Sequence, residues 1–190
     1  NAFNINDIED FIKKVNNFLN QKNKQFDLFC EPKIDGISAT LIYENGILTR
    51  GLSRGDGETG EDILENLKKI KINPKKIISN NLPDLLEIRC EVYIGKDDFK
   101  KISDKFANPR NAAGGSLRQK NPNETSKVPL KYFAYGFGKV SPMLFRTQSE
   151  FLKTIAEWNF SINPLSKIVD SLEKVEKKHS EIDQLRASLD

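Results

Sequence analysis

The sequence predicts an α+β protein with an antiparallel sheet. Two apolar segments, 37–43 and 47–52, flank Glu44-Asn45-Gly46, and Asn-Gly tolerates the positive φ of a tight hairpin. A third segment, 87–94, alternates apolar and polar side chains, which is the pattern of a strand with one buried face. Helical patterns stand among these strands without regular strand–helix–strand alternation, and this favours an antiparallel sheet.

The other elements follow from residue spacing. Apolar residues three and four apart predict an amphipathic helix over 7–20, and a short apolar run predicts a strand over 26–31. Asn108-Pro109 is typical of the cap and first residue of a helix. The remaining predictions are a helix over 61–70, a strand over 130–137 and helices over 148–158 and 170–189.

Composition excludes several classes of protein. With 190 residues, of which 37% are hydrophobic, the chain can bury a core, and we expect one domain. No apolar run approaches the roughly 20 residues of a membrane-spanning helix. Cys30 and Cys90, without a Cys-x-x-Cys or Cys/His cluster, favour two buried free thiols over a disulfide framework or zinc site. His179 falls on a charged helix, and the sequence predicts no Ser-His-Asp triad.

Charge is segregated along the chain. The net charge is +3, but residues 105–149 carry eight basic side chains and only Glu124 as an acid, a local charge of +7. Such a segment fits a patch that binds a polyanion, although a charge run is also common on a solvated surface. Charge alone therefore leaves nucleic-acid binding open.

One glycine loop matches a dinucleotide-binding pattern. Residues 55–60 read Gly-Asp-Gly-Glu-Thr-Gly, which fits G-x-G-x-x-G. The preceding strand is the return arm of a hairpin rather than the first strand of a parallel unit. Asp56 and Glu58 would also repel a pyrophosphate. We therefore interpret this loop as a turn and not as a Rossmann site.

Three charged residues are spaced by two at the end of an apolar strand. Glu31, Lys33 and Asp35 project to one side of an extended chain, which suits either a surface cluster or a lysine nucleophile. The two carboxylates would hold the lysine as an ammonium ion. A nucleophilic Lys33 therefore requires a bound cation or a basic cluster nearby, and spacing alone leaves both interpretations open.

Lys33-Ile34-Asp35-Gly36 resembles the Lys-x-Asp-Gly signature of DNA ligases, RNA ligases and capping enzymes. Over nearly its whole length, the chain is similar to the adenylation domain of bacterial NAD-dependent DNA ligases. The matching blocks, in order, are 1–3, 31–36, 54–62, 87–93, 106–119 and 132–136. The signature alone is moderately specific, whereas six ordered blocks are very specific.

The resemblance implies an ATP-grasp-like nucleotidyltransferase fold and an enzyme that seals nicked duplex DNA in replication and repair. Lys33 would attack the adenylate phosphorus of NAD, with Mg²⁺ present, and the resulting lysyl-AMP would pass AMP to a DNA 5′-phosphate. The 3′-hydroxyl would then displace AMP. The family implies a bacterial, cytoplasmic and nucleoid-associated protein with no membrane and no obligate protein partner.

The resemblance also implies roles for residues around Lys33. Glu31 looks like an adenosine contact, Asp35 like the signature carboxylate, and Arg54 like a nucleotide-binding arginine. The interpretation of the glycine loop as a turn agrees with this assignment.

Four further residues are implied by the resemblance. Glu91 resembles a ribose-binding carboxylate, where the alternative is a solvent-facing strand residue. Tyr135 resembles the aromatic residue that stacks on adenine, and it could also be a core residue. Arg110 and Arg118 look like contacts to phosphates of AMP and DNA, with ordinary surface arginines as the alternative.

Other parts of such ligases would lie outside these 190 residues. The chain does not begin with Met, and we expect a separate N-terminal domain for nicotinamide mononucleotide. We expect further adenylation blocks beyond Asp190, and OB-fold, zinc, helix-hairpin-helix and BRCT parts beyond those. These residues alone should be weak or inactive with NAD. An ATP-dependent RNA ligase or capping-type enzyme, and a non-catalytic nucleic-acid-binding module, are the alternatives.

Overall fold

A four-stranded antiparallel sheet forms the centre of the larger of two compact units in the computed structural model, the one spanning Lys33–Asn163. The structure describes residues 2, 4–21, 25–55, 59–70 and 74–186. The strands in sheet order are β3 (Ile47–Ser53), β2 (Ile37–Glu44), β4 (Leu85–Ile94) and β5 (Leu130–Ser141). The predicted α+β class with an antiparallel sheet is confirmed.

The β2–β3 hairpin turns at the predicted pair. Asn45 and Gly46 have φ values of 49° and 76°, the left-handed conformation that a two-residue hairpin requires at both central positions. The pairing of Glu44 with Ile47 closes the turn directly. Local turn chemistry thus fixes the register of the first two strands.

The core lies on the apolar face of β4. Ile88, Cys90 and Val92 are fully buried, as the period-two pattern predicts. Burial raises the pKa of the Cys90 thiol to about 12. Cys30 is only half-buried, so the prediction of two buried thiols is wrong for Cys30. Both cysteines are free.

The helices of this unit are α2 (Leu64–Leu67), α3 (Lys96–Lys100), α4 (Pro109–Leu117), α5 (Pro122–Thr125) and α6 (Gln148–Glu157). Of these, α4 packs on β4 and β2. The predicted helix over 61–70 shrinks to α2, because the preceding residues lie along β3: Asp62 bridges Leu52, and Ser53 N–H donates to the Glu61 carbonyl. The short helices α3 and α5 fall below the length at which periodicity is visible.

The cap of α4 stabilises the helix measurably. The side-chain oxygen of Asn108 accepts from Asn111 N–H at 2.7 Å, and Pro109 occupies the first turn. We expect Asn108→Ala to lower the free energy of unfolding by about 1 kcal/mol, measured by urea denaturation, because a helix N–H loses its partner. Exposed Asn80 provides a matched Asn80→Ala control. Equal effects of the two substitutions would contradict this role.

The second compact unit combines Asn1–Pro32 with Pro164–Leu189. Its elements are α1 (Ile5–Phe18), β1 (Leu28–Cys30), β6 (Lys167–Val169) and α7 (Leu172–Leu185). Here β1 pairs antiparallel with β6, and α1 packs against α7. The chain thus forms two compact units. His179 lies on α7, the helix predicted for it, and is exposed, while residues 187–189 of the predicted last helix lie outside the described residues. No described helix has the length and apolar character needed to cross a bilayer.

Candidate functional site

A cavity of about 590 Å³ opens on the larger unit, lined by residues of β2 to β5 and of the loop after β3. Its lining includes Ser38, Thr40, Arg54, Glu87, Arg89 and Tyr135. Side chains alternate along a strand, so the polar positions of β2 and β4 share one face while their apolar positions fill the core. The pattern that builds the core therefore also builds a polar cavity.

Glu91 and Tyr135 are brought together by Ser38. Ser38 opposes Glu91 across the β2–β4 ladder, and its hydroxyl donates to Glu91 Oε2 at 2.7 Å. The Ser38 and Tyr135 hydroxyl oxygens are 3.4 Å apart. Tyr135 lines the cavity, and the Glu91 carboxylate is bonded to the lining residue Ser38, so the two form a pair that can bind a polar ring-bearing ligand.

A β-bulge places Tyr135. Cys90 opposes Ala134 and Arg89 opposes Gly136, so Tyr135 is the extra residue on β5. The Tyr135 carbonyl accepts a hydrogen bond from Gln148 Nε2 at 2.6 Å. This hydrogen bond gives the carbonyl a partner outside the strand ladder. The Tyr135 side chain is 38% exposed and lines the cavity, and the alternative of a core tyrosine is therefore wrong.

Arg54 follows β3 and lines the same cavity. Gly55 comes next with φ of 54°, and a Cβ on it would overlap the Thr59 carbonyl oxygen. The loop returns along β3, and β3 pairs with β2 in an antiparallel hairpin, so the interpretation of the glycines as turn residues is confirmed for Gly55. Residues 56–58 of the pattern lie outside the described residues.

The signature segment leads directly into β2. Gly36 is buried, and a Cβ on it would overlap the Val92 carbonyl oxygen and lie 3.0 Å from Tyr93 Cβ, so the segment is held against β4. Asp35 Oδ1 accepts from Arg110 Nη1 at 3.0 Å, which ties the segment to α4. Lys33 is exposed, lies outside the cavity lining, and forms no hydrogen bond or ion pair with any described residue.

Of the predicted site residues, all of which the structure describes, only Arg54 and Tyr135 belong to the cavity lining, and Arg118 and Glu31 lie outside it. Arg118 is exposed, and its Nε donates to the Gly114 carbonyl, one turn back on α4, at 3.3 Å. Glu31 is exposed and belongs to the unit that contains Asn1–Pro32. Their roles remain predictions from the resemblance.

Several polar cavity residues have no counterpart among the predicted site residues, among them Ser38, Thr40, Glu87 and Arg89. Ser38 and Thr40 share the polar face of β2 with a spacing of two, and Arg89 shares that of β4 with Glu91. This alternation is the signal that could have identified them. Arg89 opposes Thr40 across the ladder and forms no ion pair with a described residue.

Comparison with known proteins identifies the family. The model of the NAD-dependent DNA ligase adenylation domain matches residues 1–190. A DNA ligase of Pelagibacter ubique is 50% identical over 190 residues, which are all of this chain and 28% of the relative. A DNA ligase of Rickettsia canadensis is 48% identical over 183 residues, 92% of this chain and 26% of the relative. The chain spans about a quarter of the length of these curated relatives. It belongs to the family of NAD-dependent DNA ligase adenylation domains.

Proposed function

We propose that this chain forms the lysyl-AMP intermediate of a DNA ligase, with NAD as the AMP donor. The Nζ of Lys33 attacks the α-phosphorus of the adenylate half, an N–P bond forms, and the bond to nicotinamide mononucleotide breaks. AMP then passes to the 5′-phosphate at a nick in duplex DNA, and the 3′-hydroxyl displaces AMP as the phosphodiester forms. The observation that carries this proposal is the cavity lined by Arg54, Tyr135 and Ser38, with Glu91 hydrogen-bonded to Ser38 on the strand that follows the Lys33 segment.

The chemistry of the cavity suits the adenosine half of NAD. The exposed ring of Tyr135 offers a face for a purine base, and the Glu91 carboxylate can accept from the ribose hydroxyls. Arg54 supplies a fixed positive charge for a phosphate. A volume of about 590 Å³ lies in the range of small-molecule sites.

The Asp35–Arg110 pair addresses the electrostatic objection to a lysine nucleophile. An ammonium ion between two carboxylates is a poor nucleophile, because it has no free lone pair. The Arg110 guanidinium, 3.0 Å from Asp35, offsets one of those negative charges. The Asp35 carboxylate therefore has a cationic partner in this structure, and that partner is not Lys33.

DNA would bind through phosphate contacts rather than base contacts. The segment 105–149 carries the net charge of +7, and it contains both Arg110 and Arg118. Forked guanidinium donors match phosphate oxygens, and such contacts are independent of sequence, as nick sealing requires. Because both side chains already have partners in this structure, each would exchange a protein contact for a phosphate oxygen.

Magnesium would be held mainly through the phosphates of the nucleotide. Among the described residues, no three His, Cys, Asp or Glu side chains converge on a common point. Mg²⁺ commonly uses only one or two carboxylates together with substrate phosphates. When bound, the ion would offset phosphate charge.

The choice of AMP donor tests the proposal. Incubation of the full-length protein with NAD and Mg²⁺ should increase the intact mass by one AMP and release nicotinamide mononucleotide. An increase with ATP but not NAD would instead support an ATP-dependent RNA ligase or capping-type enzyme. Absence of any adduct with either donor, while DNA binding persists, would support a non-catalytic binding module.

A further inference from the structure

We propose that Ser38 is a positioning residue that orders Glu91 and Tyr135 for the adenosine half of the nucleotide, an inference that rests on the proposed function. Ser38 lies on β2, an interior strand of the sheet, whereas Tyr135 lies in a bulge on β5. Its hydroxyl contacts both side chains, so a side chain of an interior strand fixes two groups that would otherwise rotate independently. Nothing in the Lys-x-Asp-Gly signature assigns a role to this residue.

The order of the hydrogen bonds follows from proton counting. A hydroxyl has one proton, and an ionised carboxylate can only accept. Ser38 therefore donates a hydrogen bond to Glu91 Oε2 at 2.7 Å, which is a short, charge-assisted hydrogen bond. The Tyr135 hydroxyl oxygen is 3.4 Å from the Ser38 oxygen, and in this longer contact Tyr135 is the donor. The hydrogen bonds therefore run from Tyr135 through Ser38 to Glu91.

These two hydrogen bonds leave the groups that would bind the nucleotide available. Ser38 occupies Oε2, and Oε1 forms no hydrogen bond with a described residue, so it can accept from a ribose hydroxyl. The hydrogen bond to Tyr135 holds the ring by its hydroxyl and leaves the face open for a base. Ordering both side chains before the nucleotide binds lowers the entropic cost of binding.

The role of Ser38 predicts an effect on binding rather than on chemistry. In the full-length protein, Ser38→Ala should raise the NAD concentration that gives half the limiting rate of single-turnover adenylation by about fivefold, the effect of one ordinary hydrogen bond. The limiting rate should stay within about twofold, because Ser38 does not contact the reacting atoms. Ser126, whose hydroxyl bonds to the Asn123 carbonyl on the surface, provides the matched Ser126→Ala control.

A double-mutant cycle separates positioning from a general structural role. Tyr135→Phe removes only the hydroxyl. Its effect on the NAD concentration for half the limiting rate should largely disappear in the Ser38→Ala background, because both substitutions interrupt the same series of hydrogen bonds. The role of Ser38 would be overturned if the effects of the two single substitutions multiplied in the double variant. A fall in the limiting rate of Ser38→Ala together with a loss of its thermal stability would overturn it as well. If the wild type formed the adduct and Ser38→Ala needed the same NAD concentration as the wild type, the role of Ser38 would also be overturned. The proposed function would then still stand. Absence of an adduct in the wild type would overturn both.

Discussion

We expect Lys33→Ala to abolish the AMP adduct formed with NAD and Mg²⁺, measured by intact mass spectrometry of the full-length protein. The substitution removes the only atom proposed to bond to phosphorus, and a covalent intermediate cannot form without it. Lys33 is exposed and bonds to no described residue, so the free energy of unfolding should change by less than about 0.5 kcal/mol. Loss of the adduct would then be a loss of chemistry.

Two further variants sharpen this prediction. Lys33→Arg keeps the positive charge but offers a guanidinium that stays protonated, so it should also form no adduct. Lys69→Ala removes another exposed lysine and should react like the wild type. An adduct of normal yield in Lys33→Ala would place the nucleophile elsewhere and contradict the proposed role of Lys33.

Gly36→Ala should have a large effect on stability. A Cβ at this position would overlap the Val92 carbonyl oxygen, and backbone on both sides of the contact cannot move independently of the β2–β4 ladder. Overpacking of this kind costs about 3 kcal/mol, and we expect that decrease in the free energy of unfolding by urea denaturation. Adenylation should fall as well, because the Lys33 segment would be displaced from β4.

Gly136→Ala is the matched control. A Cβ on Gly136 would meet no atom within 4 Å, although Gly136 lies opposite Arg89 in the same sheet. Its free energy of unfolding should therefore stay within about 0.5 kcal/mol of the wild type. If the two glycine substitutions were equally destabilising, the close packing of Gly36 against Val92 would be refuted.

The strands were largely predictable because their cause is local. Asn45-Gly46 determines its own turn, and alternation along β4 determines which face is buried. The length of α2 was not predictable, because residues 61–63 pair with the backbone of β3 instead of starting a helix. The pairing of β1 with β6 joins segments more than 130 residues apart, and no local pattern specifies such a partner.

The site shows the same division. Glu91 on a polar strand face is visible as a pattern, whereas its hydrogen bond to Ser38 depends on the register between two strands. The position of Tyr135 depends on a bulge, which two strands create together. The Asp35–Arg110 pair joins residues 75 positions apart and depends on the packing of α4 against the sheet. Residue types were therefore predictable, and their contacts were not.

A crystal structure of the full-length protein after reaction with NAD would test the central claim most directly. We predict continuous density from Nζ of Lys33 to the phosphorus of AMP, with the base against Tyr135, the ribose at Glu91 and Arg54 facing the phosphate. Nucleotide bonded to a different residue, or adenosine bound outside the cavity lined by Ser38, Arg54 and Tyr135, would contradict it.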